Sequence, residues 1–269
     1  MNVLVIGDSC KDVFTYGDIE RISPEAPIPV FKPTHTEEND GMAKNVANNV
    51  EALDMHIHTV TNKNSITKIR FVENRSSQMV LRVDEHDHCE RINSGLLEGL
   101  VKNKFKKPPF GFDSQREDHY DAIIISDYCK GFLEEEDIQH ICENNNNVFV
   151  DTKKKLGQWI KEADFIKINE LEYQKNHEML SDNGFDGKLI VTLGSKGCRY
   201  KGKEFPVKEV PVKDVSGAGD TFIAGLVRGY LDTQDIESAI GFAQECTTHV
   251  VQKHGVATVT LKELEGGES

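Results

Sequence analysis

Two short clusters carry residue types that phosphoryl chemistry requires. In Gly217-Ala218-Gly219-Asp220 two glycines precede the apolar helical run "TFIAGLVRGY". Backbone that flexible can turn successive N–H groups towards one point at a helix N-terminus, an anion site by geometry and dipole. Asp220 falls in the first helical turn, where the dipole is expected to depress its pKa and keep it ionised. A carboxylate there can take the proton of a hydroxyl that attacks a phosphoryl group held nearby. An ordinary N-terminal charge or cap accounts for Asp220 equally well. The second cluster is Asn169-Glu170-Leu171-Glu172, with Asn169 at the end of an apolar run and Glu172 one helical turn on. An amide and a carboxylate so placed suit water-mediated Mg²⁺ and phosphate contacts. A capping box explains the same pattern. No G-x-x-x-x-G-K-[ST] occurs, which excludes a P-loop enzyme.

These clusters need elements to hold them. "NVLVIGD" (2–8), "DAIIISDY" (121–128), "NVFVDTK" (147–153), "DFIKIN" (164–169) and "KLIVTLG" (188–194) are apolar without alternation. Such runs read as strands buried on both faces of a parallel sheet. Helical spacing marks "MAKNVANNVEAL" (42–53), "EEEDIQHIC" (134–142), "NELEYQKNHEML" (169–180) and "IESAIGFAQECTTHVVQ" (236–252) between and after them. The alternation predicts an α/β fold with a doubly wound, mostly parallel sheet and helices on both faces. In such sheets ligands bind beyond the carboxyl ends of the strands. Here those ends are Gly7-Asp8, Ser126-Asp127, Asp151, Asn169 and Gly194.

Segments 19–39 and 65–84 break the pattern. "SPEAPIPVFKP" holds four prolines and is confined to edge strand or extended loop. "ITKIRFV" and "QMVLRV" alternate around the turn "ENRSS"; Lys68 and Arg70 share one face, and Gln78, Val80 and Arg82 share another. These pieces predict a small projecting β-sheet that covers something. The asparagine run 144–147 reads as a solvated turn.

Composition narrows the class. A formal charge of −13 argues against a nucleic-acid surface or an anionic membrane patch. Six scattered cysteines form no C-x-x-C pair, so a reduced, cytoplasmic setting is expected. The N-terminus does not read as a signal peptide, and no apolar run reaches the ~18 residues of a membrane helix. Two H-x-H pairs, His56/His58 and His86/His88, follow from strand alternation and do not by themselves make a metal site.

"DVSGAGDTF" resembles the C-terminal signature of the ribokinase-like (PfkB) carbohydrate kinases, and "NELE" resembles their N-x-x-E motif. "GDSCKDVFTYGDIERISPEAPIPV", "ITKIRFV", "SDYCKG" and "VDTKK" are similar to the heptose 7-phosphate kinases of ADP-heptose synthesis. The resemblance runs to about Leu264. It implies an ATP- and Mg²⁺-dependent transfer to a sugar's anomeric hydroxyl, with Asp220 as base and Gly217, Ala218 and Gly219 as anion hole. Asn169, Glu170, Leu171 and Glu172 would serve the nucleotide phosphates and Mg²⁺, the latter through water on Glu172. Thr192, Gly194 and Gly197 would line the nucleotide, with Gln244 near the adenine. Asp12, Gly41 and Asn45 would hold sugar hydroxyls. Lys68, Arg70 and Arg82 suit a sugar phosphate, and Asp127 and Lys130 of "SDYCKG" join the same substrate group. The projecting sheet would be a lid through which subunits dimerise. A monovalent-cation requirement is left open. The resemblance implies one kinase domain over 1–269, no nucleotidyltransferase domain, and adenylyl transfer by a separate protein.

Three departures stand out. Met42 follows Gly41 where the family has a second glycine, which would stiffen a lid hinge. The family's strand–helix–strand excursion after the first helix is missing. Gln244 replaces a usual asparagine. Besides a heptose phosphate kinase, the sequence admits a kinase of another sugar or phosphosugar, or a non-catalytic relative that binds nucleotide or sugar. A nucleotide-binding scaffold unrelated to sugar leaves "RISPEAPIPV" and the lid hairpin unexplained.

Overall fold

A computed structural model describes residues 1–64, 66–101, 120–182, 184–185 and 187–266. The strands are β1 (Asn2–Gly7), β2 (Ser9–Ile22), β3 (Pro29–Met42), β4 (His56–Thr61), β5 (Ile66–Glu73), β6 (Met79–Glu85), β7 (Ala122–Asp127), β8 (Val148–Thr152), β9 (Phe165–Asn169), β10 (Leu189–Thr192), β11 (Cys198–Tyr200) and β12 (Lys203–Phe205). The helices are α1 (Ala43–Ala52), α2 (Ser94–Val101), α3 (Glu135–Asn144), α4 (Glu170–Lys175), α5 (His177–Asp182), α6 (Ala218–Thr233), α7 (Ile236–Val250) and α8 (Leu261–Leu264).

Eight strands form one sheet in the order β12-β11-β10-β9-β8-β7-β1-β4. Pairing is parallel from β10 to β4 and antiparallel through β11 and β12. The apolar strand runs are explained by cover on both faces. Val3, Val5, Ile124 and Phe149 pack under α1, α6 and α7; Leu4, Ile6, Ile123, Ile125 and Val150 pack with α2 and α3. The sheet is mixed α/β and doubly wound, with its parallel strand ends all on one edge.

The second sheet has the order β3-β2-β5-β6. It is wider than the expected segments 19–39 and 65–84: β2 begins at Ser9 and β3 runs to Met42, while Ser65 lies outside the described residues. Pro29 and Pro33 sit in β3, an edge strand, where a missing N–H breaks no ladder. Arg70 and Arg82 are register partners, as are Asp12 and Lys68. The basic residues expected on separate faces therefore project from one face of this sheet.

Other expectations needed adjusting. The helix expected over 169–180 breaks at Asn176. That side chain donates to the Glu172 carbonyl and accepts the Leu156 N–H, so it competes with the helical ladder. Strands β4, β11 and β12 are additional. The chain passes from β4 to β5 through a link only a few residues long, as the missing excursion implied. Asn62 pins that link by accepting the Ser9 N–H and donating to the Ser9 carbonyl.

Candidate active site

The strand ends and the N-terminus of α6 enclose a cavity of about 600 Å³. Among its lining residues are Tyr128, Asp151, Lys153, Lys167, Asn169 and Asp220. Glu170, Leu171, Thr192, Gly194, Gly217 and Gly219 also border it.

Gly217 caps α6 with φ 78°, a left-handed conformation that glycine adopts without a Cβ penalty. The turn leaves two donors unclaimed: among the described residues, neither the Gly217 nor the Gly219 N–H has an acceptor. Ala218, expected to share the anion hole, instead donates its N–H to the Val215 carbonyl at 3.2 Å. Gly219 is required for a second reason. A Cβ there would stand 2.9 Å from the Lys167 ammonium.

Lys167 carries no motif in the sequence, where it is one residue of the strand run "DFIKIN". It is buried, and its Nζ lies 2.6 Å from Asp151 Oδ2. Lys153 approaches the same carboxylate at 3.1 Å and Glu172 Oε1 at 2.7 Å. Burial alone would push the Asp151 carboxyl up, but Lys167 and Lys153 outweigh it and hold the carboxyl low. Burial likewise disfavours the Lys153 ammonium, and Asp151 and Glu172 override it and hold its pKa above the ordinary range. The cavity floor is therefore a charged network rather than a lone cation.

Asp220 sits above it with both oxygens engaged. Asn45 Nδ2 donates to Oδ2 at 2.7 Å, and the Tyr128 hydroxyl donates to Oδ1 at 2.9 Å. The expected depression of its pKa by the helix dipole is not what dominates. Burial pushes the Asp220 carboxyl above the usual range; Asn45, Lys167 and Tyr128 pull it back, and Asp151 adds to the rise. The next residue, Thr221, donates to Asn49, one turn beyond Asn45 on α1, at 2.7 Å, so α1 and α6 are joined by two polar contacts.

The capping-box reading of Asn169-Glu172 is the one the structure displays. Asn169 Oδ1 accepts the Glu172 N–H, and Glu172 Oε2 accepts the Asn169 N–H. With Oε1 on Lys153, both Glu172 oxygens are engaged, and no group of three candidate metal ligands occurs among the described residues. That donor set fits a magnesium ion that keeps its waters and arrives with nucleotide phosphates, not a protein-built cage.

The remaining expected residues divide between the second sheet and positions away from the cavity. Asp12 pairs with Arg70 at 2.5 Å on the second sheet, and Gly41 packs against Asp12. Arg82 makes two hydrogen bonds to Asp84. Lys68 is 8% exposed, and among the described residues no hydrogen bond or ion pair reaches its ammonium. Its Nζ stands 5.5 Å from the centroid of the Tyr128 ring. Gln244 donates to the Phe205 carbonyl, beside Gly197 and away from the cavity lining. Asp127 and Lys130 are not brought to the cavity. Asp127 is buried against Thr152 and Lys154, and Lys130 pairs with Asp87. Met42 is buried with φ 59° and ψ −132°, backbone that a glycine adopts and a methionine does not without strain.

The sequence matches the profile "pfkB family carbohydrate kinase" over residues 118–263. It is 29% identical to the bifunctional protein HldE of Vibrio cholerae over 97% of this chain and 62% of that protein. It is 30% identical to the HldE of Nitratiruptor over 98% of this chain and 64% of that protein. The chain thus spans less than two thirds of these relatives' length. The Vibrio alignment covers 310 positions, more than the chain's own 269, so that relative carries segments missing here. Among solved structures, a ribokinase of Arabidopsis thaliana complexed with ribose and ATP matches with TM-score 0.69 at 13% identity, covering 98% of this chain and 97% of that one. Phosphofructokinase-2 of Escherichia coli, in complex with potassium, matches with TM-score 0.70 at 13% identity, covering 99% and 97%.

Proposed function

The chain belongs to the pfkB family of carbohydrate kinases, and we propose that it transfers the γ-phosphoryl group of ATP to the anomeric hydroxyl of a heptose 7-phosphate. In this reading Asp220 accepts the hydroxyl proton as the sugar oxygen attacks phosphorus. The bond from phosphorus to the bridging oxygen breaks, and its electron pair leaves with ADP. The unclaimed Gly217 and Gly219 N–H groups and the Lys167 ammonium face the charge on the transferring group. Asn45 holds the base in place. Glu172 would hold magnesium through water, and the ion would supply positive charge against the nucleotide phosphates. Leu171 and Val215, both exposed at the cavity, supply apolar surface for the nucleobase.

The observation that carries the phosphosugar assignment is Lys68. Of Lys68, Arg70 and Arg82, Arg70 is committed to Asp12 and Arg82 to Asp84. Of these only Lys68, buried in register between Asp12 and Asp84 on the sheet face that meets Tyr128, has no hydrogen bond or ion pair among the described residues. A buried ammonium in that state favours a dianionic substrate group over a free sugar. The extended similarity to the heptose 7-phosphate kinases supports the heptose. The same reading takes the lid as a dimer contact, where Met79, Val80 and Leu81 are exposed apolar residues.

The test is ADP release with heptose 7-phosphate, fructose 6-phosphate and ribose. Turnover with the heptose phosphate, and little with ribose, is expected. Turnover with ribose alone would exclude the phosphosugar assignment. A second reading, a non-catalytic binding relative, is favoured by Met42 in its strained backbone. The retained Asp220, Gly217 and Gly219 speak against it.

A further inference from the structure

Tyr128 reaches the second sheet, the cavity and Asp220 at once. Its backbone N–H donates to Asp8 Oδ2 at 2.7 Å. The Lys130 and Phe132 N–H groups donate to the same buried carboxylate at 3.2 and 3.1 Å, so the turn after β7 is fixed from below. The ring lies 5.5 Å from Lys68 Nζ of the lid and 5.5 Å from Lys153 Nζ of the nucleotide cavity. The hydroxyl is aimed at Asp220 Oδ1. Burial and the Asp220 charge hold the phenol far above its usual pKa, so it remains an O–H donor.

With Asn45 on Oδ2 and Tyr128 on Oδ1, each oxygen of Asp220 already has a donor. A carboxylate in that state has a fixed plane and fewer free lone pairs for an incoming proton. We propose that Tyr128 is a positioning residue that caps Asp220, orienting it for the sugar hydroxyl and denying it to water. The inference rests on Asp220 being the base. A water molecule in the site brings no anion to the lid. A sugar phosphate does, and its engagement of Lys68 alters the contact between that ammonium and the Tyr128 ring. Suppressing transfer to water is a requirement on any kinase whose base and ATP share a cavity.

The groups that face Asp220 are Asn45 of α1, Lys167 of β9, Asp151 of β8, Tyr128 after β7, and Cys10 of β2. Of these only Tyr128 is replaced in Tyr128→Phe, which keeps the ring and both ammonium contacts. Removing a donor from the ionised carboxylate should move the acid limb of kcat/KM upward by about one pH unit, the size of one hydrogen bond to a charged group. Sugar-independent ATP hydrolysis should rise several-fold while turnover of the sugar falls. A difluorotyrosine at this position, a stronger donor of the same shape, should move the limb the other way and reads the same bond if the phenylalanine variant does not fold. A purely structural Tyr128 would change stability and leave the limb in place. The proposal is overturned if the limb does not move, or if hydrolysis without sugar does not rise. Asp220→Asn separates the two levels. If it keeps turning over, the base assignment fails first; if it is inactive while Tyr128→Phe behaves as wild type, only the role of Tyr128 falls.

Discussion

Lys167 Nζ lies 2.6 Å from Asp151 Oδ2 inside the protein, beneath the point where any side chain on Gly219 would have to stand. The pair brings a positive charge to the N-terminus of α6 without leaving it uncompensated. Replacing Lys167 by methionine should lower kcat by about 10²- to 10³-fold, the cost of a donor that faces transition-state charge. It should also cost about 3 kcal/mol of stability, because Asp151 then keeps only Lys153 in a buried setting. Steady-state kinetics and denaturant unfolding measure the two effects separately.

Gly219→Ala probes the same pair from above. The added methyl meets the end of a lysine side chain, which can shift, so unfolding stability should change by less than about 1 kcal/mol. Turnover should fall much more than stability, because the ammonium is displaced and held out of place. Equal losses in both would mean that the glycine serves only packing.

Lys68→Met should raise KM for a phosphorylated sugar by about 10- to 100-fold, equivalent to one charge-assisted hydrogen bond of about 1.5–3 kcal/mol. Substrates without the phosphate should be far less affected. A substrate titration with each sugar decides it.

Asp220 makes stability depend on pH in a direction opposite to that of a salt-bridged aspartate. Its folded-state pKa is raised by burial, so the native protein holds the proton more tightly than the unfolded chain does. Its contribution is therefore fully present below the unfolded value near ~3.9. It is lost as pH rises through the raised folded value. Asp220→Asn should remove this dependence from a series of thermal melts across that window. The acid limb of wild-type kcat/KM should sit above the ordinary aspartate range for the same reason.

Met42→Gly sets two effects against each other. Relief of the positive-φ backbone is worth about 1–3 kcal/mol, and loss of a buried methionine side chain costs about 2–5 kcal/mol. Added chain entropy of glycine costs a further ~0.5–1 kcal/mol. The variant should therefore be less stable by unfolding, while its lid hinge is freer.

The sheet was legible because strands covered on both faces leave uninterrupted β-branched runs, as in "AIIIS" of β7. Strands β11 and β12 were not, since three residues carry no period. The turn at Gly217 into a helix with Asp220 in its first turn could be read from spacing, because a helix N-terminus is a local structure; a catalytic role for Asp220 could not, and came from the family resemblance. Lys167 and Tyr128 could not. Their roles depend on register and on loop direction, which bring Lys167 opposite Asp151 and aim the Tyr128 hydroxyl at Asp220. The pKa of Asp220 was misjudged for a related reason: the helix dipole is visible in a sequence, whereas the burial that outweighs it is not.

The most direct test of the account is ADP release with heptose 7-phosphate by the wild-type protein and by Asp220→Asn, under conditions where both bind ATP. Wild-type turnover with a loss of about 10³-fold or more in the variant is expected. Comparable turnover by the variant, or a wild-type protein that binds ATP and phosphorylates no sugar, would contradict it.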